Sequence, residues 1–131
     1  MALSIHLAVL GPLQNNVYFL VDDDSSDCVL IDPSFEPQTQ LRLAREQGWQ
    51  LRQIWLTHGH YDHTAGAKTI SEAFEPPLPI AMHPEGFTWA ENHPEGVKMG
   101  MQVDAVPRLD IPLLHGMWLD VLPDGSRKLV E

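Results

Sequence analysis

Apolar positions gather into short blocks along the chain, separated by polar and turn-forming residues. Ser4 to Leu10 and Val17 to Val21 read as two strands, with Gly11-Pro12 and Asn15-Asn16 as turn chemistry between them. Asp22 to Asp27 is a polar turn. It lacks the glycine and terminal glutamate of a calcium loop. Cys28 to Ile31 is a short apolar run, predicting a buried strand that Asp32-Pro33-Ser34 ends. Gln38 to Gln47 predicts a helix with Leu41 and Ala44 on one face and Gly48 as its stop. Leu51 to Leu56 predicts the next strand, with Ile54 and Leu56 on one side. Ala65 to Phe74 predicts a helix stopped by Pro76-Pro77, and Pro79 to Met82 a short strand. Glu85 to Asn92 carries a weaker helical pattern, and Pro94 to Pro112 shows no clear period. Trp118 to Leu122 and Lys128 to Val130 flank Pro123-Asp124-Gly125-Ser126, a hairpin signal. Strands interleaved with helices predict a mixed α/β layer architecture.

The chain has 131 residues, 44% of them hydrophobic, enough for one domain (1–131) with a buried core. No apolar stretch approaches the roughly 20 residues that cross a bilayer, so no membrane role is expected. The absence of a basic segment before Leu10 argues against a secretory signal. Eighteen acidic against eight basic residues give a formal charge of −10, which disfavours nucleic acid as a partner. The single cysteine, Cys28, has no internal disulfide partner and fits a cytoplasmic protein. In an apolar strand it reads as a buried thiol rather than a nucleophile.

The chemistry concentrates in Thr57-His58-Gly59-His60-Tyr61-Asp62-His63. Three of the seven histidines and a carboxylate fall within six residues. The segment follows a strand and precedes a helix, at the edge where α/β proteins collect ligands. Imidazole and carboxylate suit zinc and neighbouring transition metals. Residues two apart on an extended loop project together, so His58 and His60 can reach one ion. Asp62 and His63, entering the helix, can face a second ion roughly 3.5–4 Å from the first. Gly59 removes a side chain where the loop is crowded. Tyr61 reads equally as a pocket wall or a packing residue. His83, His93 and His115, each beside proline or glycine, are expected as surface or loop residues rather than ligands, and His6 is expected to face solvent from its strand. Trp49, Trp55, Trp89 and Trp118 are expected to cover the core or sheet.

T-H-G-H-Y-D-H-T-A-G closely resembles the metal-binding motif of the metallo-β-lactamase-fold hydrolases. Leu10-Gly11-Pro12-Leu13-Gln14-Asn15-Asn16-Val17-Tyr18 resembles the start of their glyoxalase II-like branch, and Leu30-Ile31-Asp32-Pro33 is similar to the family's first acidic motif. The resemblance runs from about Leu3 to at least His83. It implies an αββα sandwich with a metal site at one edge. It assigns residues matching His58 and His60 to the first metal and those matching Asp62 and His63 to the second. It also implies that the residue matching Asp32 supports the loop from behind. The family's third first-site histidine, its H-T-P-G-H segment, its bridging aspartate and its last histidine have no counterpart here. The expectation is therefore the N-terminal half of such a sandwich, with two protein ligands per ion where a catalytic zinc has three.

The implied activity is metal-dependent hydrolysis of a thioester or ester. One or two zinc ions, with iron or manganese as alternatives, lower the pKa of bound water toward about 7. The hydroxide attacks the carbonyl, and Asp62 both binds metal and orients it. A lactone, or a persulfide in a single-iron oxidative variant, stays open as substrate. The competing expectation is a catalytically incomplete metal-binding module that self-associates, as a homodimer, through uncovered sheet edges.

Overall fold

The computed structural model describes residues 3–92, 106–120 and 127–129. β1 (Leu3–Leu10) and β2 (Asn15–Asp22) form an antiparallel hairpin, from Leu3 opposite Asp22 to Leu10 opposite Asn15. Asn15 and Asn16 thus belong to the strand and not to the turn. The reversal is made by Gly11 to Gln14, where Gln14 N–H donates to the Gly11 carbonyl at 3.1 Å and both residues take positive φ. Next, Asp22 closes the polar turn into β3 (Asp27–Ile31), its buried carboxylate accepting from Asp24 N–H and the Ser25 hydroxyl.

From β3 onward the strands run parallel. α1 (Pro37–Gln47), ended by Gly48 at φ +76°, leads to β4 (Gln50–Trp55). α2 (Tyr61–Thr64) and α3 (Ala67–Glu72) lead to β5 (Ile80–Met82), and α4 (Pro84–Asn92) precedes β6 (Ile111–Pro112). The sheet order is β1-β2-β3-β4-β5-β6, and β7 (Trp118–Asp120) pairs antiparallel with β8 (Arg127–Leu129) as a separate two-stranded sheet. The turn expected at Pro123 to Ser126 lies outside the described residues, as does His93.

The helix expected over Ala65 to Phe74 is α3, shorter at both ends, and a separate short helix, α2, precedes it inside the histidine motif. The break falls at Gly66, whose N–H donates to the Pro33 carbonyl at 2.9 Å. A Cβ there would lie 2.5 Å from the Ser34 carbonyl oxygen. Contact with the loop after β3 therefore overrides the helical period, and only glycine permits it.

α1, α3 and α4 pack against one face of the sheet. Val17, Phe19 and Val21 of β2, Leu30 of β3, Ile54 of β4 and Ile80 of β5 pack there against Ala44, Ala67 and Ile70. The opposite face carries a second cluster, Leu20, Val29, Trp55, Ala81 and Leu113, to which no helix among the described residues contributes. Ile5 pairs with Leu20 and shares this face; along β1 Leu3, Ile5, Leu7 and Val9 are exposed by 41 to 67%. The described residues thus supply a mixed sheet and one helical layer, one α/β half of the expected sandwich.

Candidate metal centre

The parallel strands β3, β4 and β5 end at one edge, and the histidine loop leaves β4 there. Leu56 N–H donates to Ala81 and Asp32 N–H to Trp55, both at 2.9 Å, holding the loop's start beside the β3 terminus. His60 is extended (φ −64°, ψ 135°) and caps α2, so Asp62 and His63 lie in that helix's first turn.

Asp32 organises this edge from below. It is 5% exposed and takes φ +53°, a left-handed conformation that aspartate tolerates better than most residues. Its carboxylate accepts the Thr57 N–H at 2.8 Å and the Thr57 hydroxyl at 2.6 Å, and lies 3.3 Å from His63 Nδ1. A carboxylate serving three donors is well suited to holding the loop from behind. The bonds also set a tautomer. The Thr57 hydroxyl spends its one proton on Asp32, so at 2.8 Å from His58 Nδ1 it accepts, which puts the His58 proton on Nδ1 and leaves Nε2 open. His63 is held between two carboxylates, with Nδ1 3.3 Å from Asp32 Oδ2 and Nε2 3.5 Å from Asp62 Oδ2. Burial, reinforced by the nearby His63 ring, lowers the His58 pKa from 6.5 against the opposing pull of Asp32 and Asp62. That favours the neutral ligand form.

The sequence paired His58 with His60 and Asp62 with His63. The structure brings all four to one edge, with rings of His58 and His63 at 4.2 Å and those of His58 and His60 at 4.7 Å. Among the described residues, the donor atoms that converge are those of Asp32, His58 and His63, all within 4.8 Å of one another. Neutral imidazole nitrogens beside carboxylates are a donor set that fits a divalent cation. His83 and His115 are exposed and stand outside this group; His83 Nδ1 accepts the Glu85 N–H at 3.1 Å.

Three further residues shape the site. Thr57 links Asp32 to His58. Asn15, at the start of β2, donates from Nδ2 to Asp62 Oδ2 at 2.9 Å. Trp89 of α4 meets the His60 ring edge-on. The last two are remote in sequence from the motif, so no local spacing marks them. Gly59 explains the approach of α4: a Cβ there would lie 2.5 Å from the Gly86 carbonyl oxygen. His58, Gly59, His60, Glu85, Gly86 and Trp89 line an open cavity of about 290 Å³. A larger one, about 480 Å³, lies by Trp49, Arg52 and Phe74 at the start of β4, the end remote from the histidine loop. Tyr61 packs edge-on to Phe35, and Cys28 is fully buried.

Residues 10–129 match the family model of the metallo-beta-lactamase superfamily. The chain is 32% identical over 101 residues to the "Probable metallo-hydrolase YqgX" of Bacillus subtilis, covering 75% of this chain and 46% of that protein. It is 39% identical over 66 residues to the hydroxyacylglutathione hydrolase of Erwinia tasmaniensis, covering 50% of this chain and 26% of that one. The crystal structure of TTHA1623 in a di-iron-bound form superposes with a TM-score of 0.73 at 32% identity, over 87% of this chain and 56% of that one. The BLEG-1 B3 metallo-beta-lactamase shares the fold, with a TM-score of 0.78 at 23% identity over 90% of this chain and 56% of the other. The chain therefore spans about half the length of the relatives it matches. The family model's span, the histidine loop at the sheet edge and these likenesses agree: the chain belongs to the metallo-beta-lactamase superfamily.

Proposed function

We propose that this chain carries the metal-binding half-site of a metal-dependent hydrolase acting on a thioester or ester. The observation that carries the reading is the convergence of His58 and His63 with the Asp32 carboxylate at the sheet edge, next to Asp62. His58, His60, Asp62 and His63 would hold the metal. A divalent ion supplies Lewis acidity toward a carbonyl and acidifies a coordinated water to a pKa of about 7. Zinc is the ion we favour, since imidazole and carboxylate are its ordinary ligands. Iron and manganese share those ligand types, and one similar structure is described as di-iron-bound. The chain's own contribution is orientation. Thr57, bonded to Asp32, fixes the His58 tautomer. The thioester preference is supported by likeness to hydroxyacylglutathione hydrolases over about half of this chain. A cytoplasmic setting is supported by the single buried cysteine, and no helix among the described residues is long and apolar enough to cross a membrane.

The test is metal analysis of the purified chain with Zn²⁺, Fe²⁺ and Mn²⁺, followed by hydrolysis of a chromogenic thioester. Metal uptake that drops at least tenfold in affinity in Asp62→Ala supports the reading. A chain that takes up none of the three ions overturns it.

A second reading, a self-associating module, is favoured by one observation. β1 is an edge strand, and its row of Leu3, Ile5, Leu7 and Val9 is open to solvent. A homodimer would cover it. Sedimentation at micromolar concentration gives a dimer mass if so, and a monomer mass rejects it.

A further inference from the structure

In β2 the positions facing the helices are Asn15, Val17, Phe19 and Val21. Three are core hydrophobes; the fourth is an amide, 8% exposed. Its Nδ2 donates to Asp62 Oδ2 at 2.9 Å, across 47 residues of sequence. Its Oδ1 is buried and has no hydrogen-bond partner among the described residues. A buried carbonyl without a donor is costly, and a leucine, branched at the same atom, would avoid that cost. Nor can the amide turn over to relieve it, because the carbonyl would then face the Asp62 carboxylate. Packing therefore does not account for Asn15, whereas the bond to Asp62 does.

The geometry points to Asn15 as a positioning residue for Asp62, which fits the carboxylate for a divalent cation. The Asn15 amide occupies Oδ2 from the β2 side, and His63 Nε2 lies 3.5 Å from the same oxygen. The Ser34 hydroxyl donates to the Asp62 backbone carbonyl and anchors the main chain of the same residue. With its backbone and one oxygen held, Asp62 presents its other oxygen in a fixed direction. This inference rests on the metal-site reading above and adds a residue to it. The support comes from the hairpin at the far side of β3, so the β1–β2 turn becomes part of the metal centre.

The experiment compares the chain with Asn15→Leu and Asn15→Asp, using Zn²⁺ competition against a chromogenic chelator and thermal melting of the metal-free protein. Asn15→Leu keeps or raises metal-free stability, because it removes the unpartnered carbonyl, yet weakens Zn²⁺ binding about tenfold to a hundredfold. Asn15→Asp loses the donor and weakens binding likewise, while Asn15→His, which retains an N–H donor, recovers part of the affinity. Unchanged Zn²⁺ affinity in Asn15→Leu overturns the inference and leaves the metal-site reading standing. A large loss of metal-free stability in Asn15→Leu also overturns it, since Asn15 would then serve the fold. Failure of the parent chain to bind Zn²⁺, Fe²⁺ or Mn²⁺ overturns both.

Discussion

The edge of the Trp89 indole meets the His60 imidazole at 90°, with ring centroids 4.6 Å apart. This contact ties α4 to the candidate metal loop and places a fluorophore beside a candidate ligand. Co²⁺ has partly filled d orbitals that accept excitation at short range. Binding at His60 should therefore quench Trp89, lowering emission by a fraction bounded by one tryptophan in four. A fluorescence titration of the chain against Trp89→Phe checks this. Equal quenching in both would place the ion away from His60.

Thr57 relays the Asp32 carboxylate to His58 through one hydroxyl. Thr57→Val keeps the shape and removes the relay, freeing the His58 tautomer. Zn²⁺ affinity should fall about tenfold to a hundredfold. Thr57→Ser, which keeps the hydroxyl, should stay near the parent. Chelator competition reads both.

Gly66 is the hinge between α2 and α3, and a methyl there meets main-chain oxygen at 2.5 Å. Backbone on both sides leaves little room to yield. Gly66→Ala should cost about 1–3 kcal/mol, the usual range for overpacking. A lowered urea midpoint with an unchanged slope is the expected result.

Cys28 is fully buried in β3, and burial pushes its thiol from 9.0 to about 12. Below pH 9 the thiol is protonated in both folded and unfolded chains, so it leaves stability unchanged there. Between pH 9 and about 12 only the unfolded chain releases the proton, so stability falls as pH rises. The slope approaches about 1.4 kcal/mol per pH unit. Urea melts of the parent and Cys28→Ala across that window should diverge in slope. At pH 8 the folded chain should resist a thiol reagent that the unfolded chain consumes.

Arg108 ties α3 to the segments that lead into β5 and β6. Its guanidinium donates to the Ser71 hydroxyl at 2.9 Å and the Leu78 carbonyl at 3.0 Å, and bonds Asp110 at 3.0 Å; Asp110 in turn accepts the Ile80 N–H. Arg108→Met keeps the aliphatic stem and removes the donors. Its cost should be about 1–3 kcal/mol, measured by denaturation, because the partners lie partly buried.

The order of strands and helices was legible in the chain because burial leaves a periodic trace. Cys28 to Ile31 and Leu51 to Leu56 face the core on both or alternate sides, and their residue types say so. The histidine motif was legible because its donors lie within six residues, and its strand-to-helix placement follows from the flanking patterns. The information legible along the chain was therefore local: the elements, their buried faces and a cluster of cation-binding chemistry. Tertiary structure decided the rest. Gly66 broke a helix because a loop 33 residues earlier presses on it, and Asn15 joined Asp62 because β2 begins at the edge where β4 ends. Trp89 reached His60 because Gly59 lets α4 approach. Such contacts depend on which strands become neighbours in the sheet. A packing decision made by the whole chain leaves no periodic mark on the few residues it brings together.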